Sequence, residues 1–231
     1  MDKFSKLLNP MEQEEKKDLV QVKDYKPDLE KFLASYEGFV PKMYKDSRGN
    51  ETFGYGFIAN EENLGIAGML GYTPERLRDE GMSEEDAKKM KRIIIDKYEQ
   101  RLDKDLNGVF QTLPENKKTA LSSLHYNSPA LIGPNAKQYI ANNDDLGLAR
   151  EIVLNSNSQN EPGVLRRRLD EAALFADLPT LGKTLSLEEK KKISSGLQQL
   201  PEGDRELYLQ KYSQPLGLAP ESIAFKKLIN K

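Results

Sequence analysis

Glu37-Gly-Phe-Val-Pro-Lys-Met-Tyr-Lys-Asp46-Ser-Arg-Gly-Asn-Glu-Thr52-Phe-Gly-Tyr-Gly56 decides how this chain is read. Two carboxylates and a hydroxyl stand at fixed separations around a turn, and the stretch ends in alternating glycines. Upstream, Pro27 suits a helix start, with Asp28 and Glu30 in the first turn where anions are favoured. Leu29, Phe32, Leu33 and Tyr36 then form one apolar face at helical spacing. Gly38 and Pro41 stop that helix, which places Glu37 in its last turn. Met43 to Lys45 and Thr52 to Phe57 read as two short strands joined through Asp46-Ser-Arg-Gly-Asn. On the second strand Phe53, Tyr55 and Phe57 share one face, and Thr52, Gly54 and Gly56 share the other. A face so poor in side chains admits a close neighbour, either a substrate or a packed loop.

Downstream, Asn60 to Gly81 reads as a loop with a short helix beginning at Thr73-Pro74-Glu75. Ser83 caps a long helix, with Asp86 as the reciprocal partner of a capping box. Ala87, Met90, Ile94, Tyr98, Leu102 and Leu106 trace its apolar stripe, giving a helix of about 20 residues or more, long enough to join two lobes. Further helices are expected near 115–126, 135–142, 144–155 and 164–176. The pattern is α+β, with a small β-hairpin or sheet lobe and a larger helical lobe. From Pro179 the composition shifts, and short amphipathic helices near 186–199, 202–212 and 220–230 form a helical C-terminal extension. The organisation read from this is a leader over 1–25, a main domain over 26–178 and the extension over 179–231.

Composition narrows the chemistry. The 231 residues are 37% hydrophobic and 31% charged, enough for a sizeable core in a well-solvated chain. Cysteine is absent, which removes disulfides and thiolate catalysis. With one histidine, His125, a histidine-based metal site or a Ser/His/Asp triad would rest on a single ring; no metal and no cofactor are expected. His125 itself lies on a largely apolar stretch and reads as a packed residue. Asp and Glu number 37, so acid–base chemistry by carboxylates is the resource at hand. A net charge of −2 does not suit a general nucleic-acid binder. The local clusters Arg166–Arg168 and Lys190–Lys192 read first as solvated helix faces. The N-terminal residues hold no apolar run suited to a signal peptide or a membrane span.

One carboxylate that stays protonated, opposite one that stays ionised, is the minimum needed to break a glycosidic bond. The acid needs a raised pKa. A helix C-terminus would contribute about 0.3–1 kcal/mol towards that at Glu37, and burial in a cleft would have to supply the rest. Asp46 opens an exposed turn and stays ionised. Thr52 starts the opposing strand, from which its hydroxyl could reach back towards Asp46 and hold a water with it. Taken singly, each residue has an ordinary explanation: a helix charge, a turn former and a β-branched strand residue.

Glu37, eight residues, Asp46, five residues, Thr52 and then Phe-Gly-Tyr-Gly together resemble the phage-type lysozymes (endolysins) of glycoside hydrolase family 24. Leu113-Pro-Glu-Asn-Lys-Lys-Thr-Ala-Leu-Ser-Ser-Leu-His-Tyr-Asn127 is similar to that family's core helix ending in Tyr-Asn. Pro162-Gly-Val-Leu-Arg-Arg-Arg168-Leu-Asp-Glu171-Ala-Ala-Leu-Phe175 is similar to a later family helix. The resemblance covers about residues 26 to 178. It implies a lysozyme-like fold with a cleft between two lobes and inverting hydrolysis of the β-1,4 bond between N-acetylmuramic acid and N-acetylglucosamine. Glu37 would be the proton donor, and Asp46 with Thr52 would position the attacking water. Tyr55, Gly54, Gly56 and Asn127 would line the substrate site. Arg167 would join them, since an arginine can grip a peptide carboxylate of peptidoglycan; the three arginines cannot all point one way, so at least one is structural.

The chain also departs from the family pattern. Phe57 stands where many members have His, the Asn60–Gly81 insert is longer than usual, Asn127 is followed by Ser-Pro, and tryptophan is absent. A lytic transglycosylase is one alternative, but it would not need Asp46 and Thr52. A non-catalytic virion or cell-wall binding module is another, kept open by residues 1–25 and 179–231. The partners expected are peptidoglycan and, through 179–231, a virion or host protein, with no nucleic acid and no membrane span. The protein is expected as a monomer. It would reach the wall from the host cytoplasm through another factor such as a holin, or travel with the virion.

Overall fold

A computed structural model describes residues 27–46, 49–157 and 161–218. The expected leader over 1–25 and the expected helix over 220–230 lie outside the described residues. The chain divides into two compact units, with the boundary between Arg101 and Leu102.

The first unit opens with α1, Pro27–Ala34. It continues into β1 (Val40–Lys45), β2 (Glu51–Gly54) and β3 (Phe57–Ile58), an antiparallel sheet in the order β1-β2-β3. Tyr44 pairs with Thr52 and Lys45 with Glu51, while Thr52 and Phe53 pair with Ile58 and Phe57 on the other side. The single strand expected over Thr52–Phe57 is therefore two strands. Gly54 and Gly56 adopt φ of +63° and +81°, and the chain reverses through Tyr55-Gly56. β1 begins earlier than expected and contains Pro41, which an edge strand tolerates because the missing N–H costs no ladder bond. The Pro41 carbonyl accepts from the Met82 amide at 2.9 Å.

The Asn60–Gly81 insert is more helical than the sequence suggested, holding α2 (Glu61–Met69) and α3 (Pro74–Asp79). Each glycine inside a helix costs about 1 kcal/mol relative to alanine. In α2 that cost is met by the Asn60 cap and by burial of Ile66 and Ala67. Thr73 caps α3 as expected, its side chain accepting from the Arg76 amide. The long helix α4 spans Glu84–Asp105 and crosses the unit boundary. Ser83 Oγ accepts from the Asp86 amide at 3.1 Å, and the Asp86 carboxylate accepts from the hydroxyls of Ser83 and Tyr72. The expected reciprocal bond is altered, because the Ser83 amide donates to the Tyr72 hydroxyl rather than to Asp86.

The second unit holds α5 (Val109–Thr112), α6 (Glu115–Asn127), α7 (Pro134–Ala141), α8 (Asp145–Asn155) and α9 (Pro162–Ala173). It goes on through α10 (Leu178–Thr184), α11 (Leu187–Gln198) and α12 (Glu202–Leu216). One hydrophobic cluster runs from Leu102 and Phe110 through Leu169 and Phe175 to Tyr212 and Leu218. Residues 179–218 thus share the core of the helical unit. Asp170 on α9 fastens them, its carboxylate accepting from the hydroxyls of Tyr208 and Tyr212 and from Lys211 Nζ. Arg166 reaches Asp204 at 2.7 Å from the same helix.

Close backbone approach fixes α10 against α12. A Cβ added at Gly182 would stand 2.6 Å from the Pro215 carbonyl oxygen and 2.8 Å from Leu216 Cα, and neither can move without the helix. Gly182→Ala is expected to destabilise the protein by about 1–3 kcal/mol, read as a lower urea midpoint. Gly203→Ala, where nothing lies within 4 Å, stays within about 1 kcal/mol of wild type.

Candidate active site

α1 ends at Ala34, and Ser35 and Tyr36 close it through amide bonds to the Phe32 and Leu33 carbonyls. Glu37 therefore lies beyond the helix rather than in its last turn. A helix dipole acts only within about that turn, so it is not the main influence on this carboxyl. The nearer influence is Lys91 of α4, whose Nζ stands 2.6 Å from Glu37 Oε2. The Lys91 side chain is 5% exposed and that of Glu37 is 11% exposed, so this is a largely desolvated pair.

Tyr55, expected to line a substrate site, packs beside this pair. Lys91 Nζ lies 4.7 Å from its ring centroid, a cation–π contact. The ring also meets Phe39 at 5.4 Å and Phe57 at 6.4 Å, and Phe57 meets Phe53 edge-on at 5.7 Å. The Tyr55 hydroxyl donates to Glu84 at 3.0 Å. Burial first, and then the Glu84 carboxylate, push this phenol above its ordinary range, so it stays neutral. At Gly54 the close neighbour is a side chain of the same sheet, since a Cβ there would stand 2.8 Å from the Phe57 ring. At Gly56 nothing lies within 4 Å of that position.

Asp46 and Thr52 meet through Asn50. The Asn50 amide donates to Asp46 Oδ1 at 2.8 Å, and Asn50 Nδ2 donates to Oδ2 at 3.0 Å. The Asn50 carbonyl in turn accepts from the Asp46 amide at 3.0 Å and from Thr52 Oγ1 at 3.2 Å. Three donor–acceptor groups of one residue thus fix both candidates. Two donors on a carboxylate favour its ionised form. Thr52 is 2% exposed, and its hydroxyl is held by Asn50 rather than pointed to Asp46 alone.

Asn127 and Arg167 belong to the helical unit. Asn127 ends α6 and its Oδ1 accepts from Arg168. Arg167 is buried in α9: its Nε donates to Ser123 Oγ and Glu171 Oε1, each at 3.1 Å, and its Nη2 to the Ser123 carbonyl at 2.9 Å. Arg168 adds a further bond to Glu171. Burial pushes the Glu171 carboxyl up against the pull of both arginines and Ser123. In this structure Arg167 is a core tie rather than the exposed cation that gripping a peptide carboxylate would require. His125 is buried, as its apolar setting suggested. A cavity of about 370 Å³ in this unit, lined in part by Val153, Leu165, Lys192, Ile193 and Gln199, holds none of the candidate residues.

Two residues of the site were missed in the sequence. Lys91 occupies a position four after Ala87 and three before Ile94, on the face that the apolar stripe buries; a lysine there was itself a signal. Asn50 was read as part of the turn, although an Asn in a turn often bonds back to its neighbours. Among the described residues no group of three or more His, Cys, Asp or Glu side chains could hold a metal, and no helix is long and apolar enough to cross a membrane.

These positions can be set beside known proteins. No curated protein matches the chain. A family model described as phage lysozyme matches residues 34–171, a span that contains Glu37, Asp46, Thr52, Asn127 and Arg167. With that match over more than half its length, and with a small antiparallel sheet among helices, this chain belongs to the phage lysozyme family.

Proposed function

We propose that the protein hydrolyses the β-1,4 bond between N-acetylmuramic acid and N-acetylglucosamine with inversion, and that a phage uses it to open or penetrate a bacterial wall. Family membership makes it a glycosidase-type enzyme directed at peptidoglycan. The finer reading is supported above all by the turn at Asn50, which fixes Asp46 and Thr52 on one residue.

In this reading Glu37 protonates the leaving oxygen as the glycosidic bond breaks. Water attacks the anomeric carbon from the opposite face and passes a proton to Asp46, which Thr52 helps to place. The charge developing on the sugar ring meets the Asp46 carboxylate, which accepts two hydrogen bonds from Asn50. Residues 179–218 stand in the same core as the rest of the helical unit, which favours a packing role for them over a separate binding module.

The test uses purified protein and isolated peptidoglycan, with analysis of the released ends. Wild type is expected to release reducing muropeptides. Glu37→Gln and Asp46→Asn are each expected to lower kcat by about 10²–10⁴-fold. Anhydro products would identify a transglycosylase, and no release by wild type would favour a binding module. Thr52→Ala is expected to cost least of the three.

The turn makes its own prediction. Asn50→Ala removes the Nδ2 bond to Asp46 and keeps the backbone bonds, so kcat is expected to fall about tenfold. Asn50→Asp places a like charge against Asp46 and is expected to cost more. Steady-state kinetics of the two variants check both the size and the order.

A further inference from the structure

We infer that Lys91 is the positioning residue for Glu37: its ammonium orients the carboxyl and sets the pH range over which Glu37 can give up a proton. This rests on Glu37 being the proton donor. The observation is the pair itself, with Nζ 2.6 Å from Oε2, each side chain largely buried and the ammonium set 4.7 Å over the Tyr55 ring. At that distance, with both side chains largely buried, the two charges are strongly coupled.

The charges around the pair are themselves paired. On α4, Lys88 stands 2.9 Å from Glu84, which also receives the neutral Tyr55 hydroxyl. Arg92 on α4 faces Glu30 on α1 at 3.5 Å. The Lys91 ammonium is in direct contact, acting on the Glu37 carboxyl from 2.6 Å. Burial disfavours the ionised carboxyl, whereas an opposite charge within about 4–6 Å favours it by about one to three pH units. At 2.6 Å the second effect opposes burial directly, so Lys91 favours the ionised form of Glu37.

The consequence for turnover has a definite sign. The proton donor works only when protonated, so kcat/KM falls as pH rises through the Glu37 value of the free enzyme. Lys91 holds that value down and thereby confines the reaction to lower pH.

The test compares wild type, Lys91→Met and Lys91→Arg on peptidoglycan across pH. Lys91→Met is expected to move the alkaline limb of kcat/KM up by about one unit or more, with a lower maximal rate because the carboxyl is less well held. Lys91→Arg keeps the charge and is expected to keep the limb. An unmoved limb in Lys91→Met, or an equal shift in both variants, would overturn the inference. If Lys91→Met does not fold, the infrared difference spectrum of wild type minus Glu37→Gln reads the same point. An ionised carboxylate band at pH 6 supports the inference, and a protonated carboxyl band there contradicts it. Full activity in Glu37→Gln would instead remove the proton-donor reading on which this rests.

Discussion

A charge taken out of water must find a partner, and that constraint shapes both units of this protein. In the first, Lys91 sits on the buried face of α4 and meets Glu37. In the second, Arg167 and Arg168 converge on Glu171 with Ser123, while Asp170 draws in Tyr208, Tyr212 and Lys211. Exchanging such a group for an apolar one of similar shape can be nearly neutral, but breaking one partner leaves the other buried and uncompensated. The ionic ties therefore specify arrangement more than they add stability. In the helical unit they fasten α12 to α9; in the first unit they set the carboxyl that follows α1.

The two halves of the candidate site are held by different means. Asp46 and Thr52 depend on a local turn, whose bonds span no more than four residues in sequence. Glu37 depends on a contact from α4, more than fifty residues downstream. A local turn forms whenever its own residues do, whereas the Glu37 contact requires the first unit to be folded. Substitutions along the buried face of α4 are thus able to reach the acid without touching the hairpin.

Much of this was legible in the sequence. The periodicities of 84–105, 115–127 and 145–155 gave helices within a residue or two of those observed, because each combines an apolar stripe with a cap, a proline or a glycine at its ends. Asp46 as a turn residue followed from turn chemistry. What escaped was set by tertiary contact. Period-two alternation over Thr52–Phe57 hid a reversal, since Tyr55-Gly56 turns the chain and leaves Phe53 and Phe57 packed edge to face. Helical spacing through Tyr36 overran the end of α1 and put Glu37 in its last turn, whereas the helix ends at Ala34. The arginine cluster looked exposed, yet Arg167 and Arg168 are buried against Glu171, a partner visible at helical spacing only once the inward face is known.

The extension past residue 178 alters the picture of a catalytic domain with an appendage. The family match ends at residue 171, whereas the hydrophobic cluster continues to Leu218. Gly182 admits the backbone of Leu216 and Gly196 the side chain of Leu165. The anomeric form of the freshly released muramic acid end tests the chemistry at Glu37 and Asp46 most directly. Proton NMR during the first minutes of digestion, before mutarotation, is predicted to show the α-anomer, as direct attack by water on a β-linkage requires. The β-anomer appearing first would contradict it, since retention demands a covalent intermediate on a nearby carboxylate.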